Sequence, residues 1–137
     1  MKDKTEIIHK EIDLLQACIT RMANNSFLIK GWAITLVSLI LTINNNHSKF
    51  NWFVIIPVLA FWYLDAFFLK SERLYRKQYD WVIVNRENTN ENLYELNPSK
   101  FQGNGDIWKI IISKSLLIFY GMLIVLSLFL SYCILGD

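Results

Sequence analysis

Charge is scarce in this chain. Only 19% of its 137 residues are Asp, Glu, Lys or Arg, against roughly 25% in an ordinary soluble domain. Cysteine, proline and glycine are rarer still, at 2, 2 and 5 residues. Two cysteines far apart, with no CxxC and no His/Cys cluster, exclude a disulfide scaffold and a zinc site, so Cys18 and Cys133 read as structural thiols. So little glycine and proline excludes collagen-like and low-complexity chains. Histidine occurs only at His9 and His47. Neither can complete a Ser/His/Asp or Cys/His arrangement with the other, because they fall on opposite sides of the membrane in the topology derived below. There is no Walker loop and no HExxH, and no His follows an Arg within six residues, as a ribonuclease signature would require. The net charge of +2 is too small and too mixed in sign for a dedicated nucleic-acid binder. No enzyme, cofactor, metal site or direct nucleic-acid contact is expected.

What the chain has instead is apolar surface, 53% of its residues, gathered into three runs. Residues 27–43 hold one charge, Lys30; residues 52–69 hold one, Asp65; residues 115–135 hold none. A helix crosses the hydrocarbon with about 20 apolar residues, over a working range of about 17–25. Burying all three runs in a soluble core would need more polar chain than remains. The first run lies behind a charged amphipathic stretch with no A-x-A site after it, so it reads as a span rather than a cleaved leader.

Basic residues set the orientation. Thirteen of the 14 Lys and Arg lie in residues 1–30 or 70–114, and only Lys49 lies in the short connection between the first two runs. Short loops rich in Lys and Arg stay in the cytoplasm. The fold expected is therefore an all-α, multi-pass inner-membrane protein with three transmembrane helices. Its parts are a cytoplasmic amphipathic helix (1–26), a first span (27–43), an outer loop (44–51), a second span (52–69), a cytoplasmic helix and loop (70–106), a third span with its cytoplasmic approach (107–135) and an outer tail (136–137). The N-terminus is cytoplasmic and the C-terminus periplasmic.

Ile8, Ile12, Leu15, Ile19 and Met22 repeat at helical spacing and form a packing face, either for the chain's own 70–90 region or for a neighbouring subunit. Four acidic residues nearby make this a poor helix for anionic lipid. Nothing breaks the helix that follows the second run, so it continues to about Asn85, with Leu74, Tyr75, Gln78, Tyr79, Val82 and Ile83 as its stripe. Pro57 predicts a kink, or a neighbour that supports the helix there. A short helix is expected at Glu91–Leu96, and Asp106 is placed to cap the last helix. Ser127 and Ser131 form a small-xxx-small pair. Trp52 at the outer boundary and Trp62, Tyr63, Tyr75 and Trp81 towards the inner one suit interfacial anchoring.

The short polar turn makes the first two runs an antiparallel hairpin. With the turn centred between His47 and Ser48, residues at equal depth have numbers adding to about 95, and Lys30 and Asp65 satisfy this. Each is the sole charge of its run, and each costs about 2.5–3.5 kcal/mol at the centre of a bilayer. They are expected to pair directly or across a subunit boundary; separate snorkelling, with Asp65 meeting Arg73, is the alternative. Gly31, Thr35, Ser38 and Thr42 share one helical face, which suits either close helix packing or a polar pore wall.

Two stretches, RMANNSFLIKGWAITLVSLIL at 21–41 and FWYLDAFFLKSERLYRKQYD at 61–80, resemble the RipA-like octameric family of bacterial inner-membrane proteins. A weaker resemblance is to the accessory membrane proteins of type VI-B CRISPR systems, whose RNA-guided partner cleaves RNA. These resemblances imply a ring-shaped octameric pore that helps to depolarise the membrane during phage infection. The partners would be further copies of the chain, membrane lipids and, functionally, a CRISPR RNA-cleaving effector or its signal. Thr35, Ser38 and Thr42 would then line the pore, with residues 44–46 at its mouth; the third helix is the rival lining. A non-conducting membrane scaffold that recruits a cytoplasmic partner is the competing expectation.

Overall fold

The computed structural model describes residues 2–43, 53–101 and 107–135. These form four α-helices: α1 (Lys2–Ile43), α2 (Ile55–Asn85), α3 (Ile107–Ile111) and α4 (Lys114–Leu135), with a 3-10 turn at Pro98–Phe101. The expected outer loop with His47, the expected pore mouth at 44–46, Trp52, Asp106 and the tail 136–137 lie outside the described residues, as do the side chains of Ser131 and Cys133.

No interruption separates the amphipathic stretch from the first apolar run. α1 is one helix of 42 residues, about 63 Å long. Between Lys2 and Lys30 it has neither glycine nor proline, so nothing stops the hydrogen-bond ladder. Its buried line runs Glu11, Leu15, Cys18, Ile29, Ala33 and Val37, a spacing close to the 3.6-residue period. By length and composition α1 can cross a membrane, and α4 adds a shorter apolar stretch at Lys114–Leu130.

α2 returns antiparallel to α1. Side-chain pairs along the two helices are Lys4 with the Glu87 carbonyl, Glu11 with Arg86, Gln16 with Tyr79, Ser26 with Asp65 and Lys30 with Asp65. The partners' numbers add to between 91 and 97 in every case, so one register holds from end to end. Pro57 does not need to kink α2: it sits in the first turn, where its missing N–H would have had no helical partner. On α2's stripe Gln78 and Val82 are buried, whereas Ile83 is 50% exposed.

The apolar core joins Ala33 and Val37 of α1, Val58 and Ala66 of α2, Ile110 of α3 and Leu116 and Tyr120 of α4. The approach to the last helix is broken at Ile112–Ser113. The Trp62 indole N–H donates to the Ile111 carbonyl at 3.0 Å, drawing that oxygen out of the ladder. Ser113 N–H bonds back three residues to Ile110. Trp62→Phe is expected to cost about 1 kcal/mol and to speed amide exchange at 112–115; unchanged exchange there would show that the break has another cause.

The helix expected at Glu91–Leu96 is instead a set of turns. Asn92 and Tyr94 have φ of 56° and 59°, a left-handed conformation that an L-residue helix does not propagate. This segment folds back on α2, where the Gln78 side-chain N–H₂ donates to the Glu95 carbonyl and Trp81 meets Phe101 at a centroid distance of 6.0 Å.

Candidate functional site

Asp65 is the point at which three helices meet. Its side chain is fully buried, and an isolated carboxylate there would lose its hydration with nothing in return. α1 supplies Lys30, whose Nζ lies 2.6 Å from Oδ2, and Ser26, whose hydroxyl donates to Oδ1. α4 supplies Tyr120, whose hydroxyl lies 3.2 Å from both Oδ2 and the Phe61 carbonyl. Lys30 also donates to Ser26 Oγ at 2.9 Å and sits 5.9 Å from the centre of the Phe119 ring. Both Lys30–Ser26 and Phe61–Asp65 are one helical turn apart, which is why two short stretches furnish most of the cluster. Tyr120 is held by stacking on Trp62, with ring centroids 5.6 Å apart and planes 8° apart. Arg73, the alternative partner of Asp65, is exposed.

A second charge pair lies at the other end of the helix pair. Arg86, at the end of α2, and Glu11 of α1 are 2% and 1% exposed. The guanidinium donates from Nε and Nη2 to the two carboxylate oxygens at 2.6 and 2.5 Å, the bidentate geometry that suits an arginine. Its Nη1 donates to the Thr89 and Glu91 carbonyls at 3.3 and 2.7 Å, and the group lies 5.4 Å from the Trp81 ring centre. Arg86 thus fastens both α1 and the turn after α2. Sequence reasoning named Ile8, Ile12, Leu15, Ile19 and Met22 as the packing face and singled out neither Glu11 nor Arg86; the signal available was the antiparallel register carried to its end. Further back along α2, Tyr75 is half-buried, and burial pushes its phenol up from the ordinary value of 10.

Leu15 lies on α1's buried line, and Ile8, Ile12 and Ile19 flank it half-buried. The line itself passes through Glu11 and Cys18, turned about one residue from the face those isoleucines define. Thr35, Ser38 and Thr42 are exposed, and the two threonine hydroxyls donate to the Gly31 and Ser38 carbonyls of their own helix at 2.9 and 2.8 Å. A β-carbon added at Gly31 would meet nothing within 4 Å. The structure therefore brings Lys30 and Asp65 together and leaves Thr35, Ser38 and Thr42 on an open face. Comparison with protein-family models, with characterised proteins and with solved structures finds no match for this chain.

Proposed function

We propose that the chain is the non-enzymatic subunit of a cyclic homo-oligomer that forms a pore in the bacterial inner membrane. The single observation that carries this reading is the open face of α1. Thr35, Ser38 and Thr42 are exposed beside Trp32, Leu39 and Ile43, which are 64%, 54% and 75% exposed. A thin bundle whose apolar surface is turned outward needs lipid or further copies around it, and identical copies close such surfaces as a ring. Three spans, with the N-terminus in the cytoplasm and the C-terminus in the periplasm, agree with the distribution of basic residues. α4 shows the same outward character, with Ile118, Met122, Val125 and Phe129 exposed.

The subunit number of eight rests on the resemblance of residues 21–41 and 61–80 to the RipA-like family, and a depolarising role in CRISPR-linked antiviral defence on the weaker resemblance to the accessory membrane proteins of type VI-B CRISPR systems. The scaffold reading is favoured by one detail. The Thr35 and Thr42 hydroxyls are already bonded to their own helix, so neither needs water.

Two measurements separate the readings. Class averages of the full-length protein in detergent should show closed rings with a central channel. Cysteines placed at 35, 38 and 42 should react with aqueous thiol reagents in the assembled protein, and cysteines on the lipid-facing side should not. Small particles without a channel and unreactive cysteines would reject the pore and leave the scaffold.

A further inference from the structure

At the Arg86 clamp, the turns of residues 88–101 form a half-open pocket of about 200 Å³ against α2, lined by Gln78, Trp81, Arg86, Glu91, Lys100 and Phe101 among others. We propose that this pocket binds a small planar aromatic amine, of one or two fused rings, held by Phe101 and drawn by the Glu91 carboxylate.

The size argument is direct: an apolar cavity of ~150 Å³ accommodates a benzene ring, so this one takes a ring system slightly larger. Trp81 and Phe101 meet in its wall at a tilt of 57°. The Arg86 guanidinium already lies over Trp81, 5.4 Å from the ring centre, so Phe101 is the ring left to offer a π-face to a flat cation. The charge argument decides the sign of the ligand. Both cations at the cavity are already neutralised. Arg86 is held by Glu11 and two carbonyls, and Lys100 donates to Glu95 and Asn92 at 3.0 and 2.6 Å. A phosphate or carboxylate would therefore meet no free counter-charge. Acceptors, in contrast, are left over. The Glu91 carboxylate has no cationic partner among the described residues, and Gln78 Oε1 is buried in the same wall without a hydrogen bond. The segment that lines the pocket carries the two left-handed residues, Asn92 and Tyr94, and such backbone is held only where its surroundings impose it. A site with a free aromatic face, surplus acceptors and no available cation selects a ligand that donates N–H and carries positive charge.

The test uses full-length protein in lipid nanodiscs and three probes of one shape: tryptamine, indole and indole-3-acetate, measured by calorimetry with empty nanodiscs as the blank. Tryptamine should bind saturably and about tenfold more tightly than indole-3-acetate. Glu91→Gln, a change at an exposed position that the fold tolerates, should erase the preference for tryptamine over indole. Phe101→Ala should weaken both tryptamine and indole. Equal affinities for the three probes, absence of saturable binding, or tryptamine binding indifferent to both variants would overturn the assignment.

Discussion

Asp65→Ala is expected to destabilise the fold by about 3–5 kcal/mol, the usual result of breaking a buried ion pair by removing one partner. The loss reaches further than one contact. Ser26, Lys30 and Tyr120 all converge on this carboxylate, so α1 and α4 lose their common attachment to α2 together. Lys30→Met should cost at least as much. It leaves the fully buried Asp65 carboxylate with only the Ser26 and Tyr120 donors and no counter-charge, whereas Asp65→Ala leaves a Lys30 that is 23% exposed. The decisive variant is the exchange Lys30→Asp with Asp65→Lys. If the pair holds the helices, the double variant should regain a large part of the thermal stability and assembly lost by each single change, measured in detergent by unfolding and size-exclusion chromatography. A double variant no better than the worse single one would show that geometry around Asp65, rather than the charge pair, holds the helices.

Arg86→Met should have a comparable effect at the other end, about 3–5 kcal/mol, since it leaves the Glu11 carboxylate buried and unpaired. It also removes the donors that hold the Thr89 and Glu91 carbonyls, so amide exchange across residues 86–101 should accelerate well beyond the change at α4. Combining it with Glu11→Leu should restore most of the stability, because replacing a buried ion pair by apolar residues of similar size is often neutral or better. The loop should nevertheless stay fast in the double variant, as its carbonyls remain without a donor. Slow exchange there would show that Gln78, through the Glu95 carbonyl, and not Arg86, fastens the segment.

The hairpin was legible because its evidence is coarse: two apolar runs, a short polar turn and one charge in each run. Those three facts set the register at which Lys30 meets Asp65. The same register reaches Glu11 and Arg86, yet that pair was hidden. A charge stands out in an apolar run and disappears among the ions of a polar one. Tyr120 was hidden for another reason: in a helix of apolar residues an aromatic reads as packing, and only the tertiary arrangement reveals that its hydroxyl meets a carboxylate. The division of α1 at residue 26 followed composition, whereas helix continuity follows the backbone, which does not register a change from polar to apolar side chains. At Glu91–Leu96 the error ran the other way. Local pattern suggested a helix where Asn92 and Tyr94 take left-handed turns against α2.

The continuity of α1 has a mechanical consequence. Glu11 and Lys30 are 19 residues apart on one unbroken helix, a separation of about 28 Å. A joint in that interval would absorb a displacement at one end, but a stiff rod delivers it to the other. Anything that slides or turns the helix at the Arg86 clamp therefore moves Lys30 against Asp65 by a similar amount, and the two charge pairs act as the two ends of a single lever.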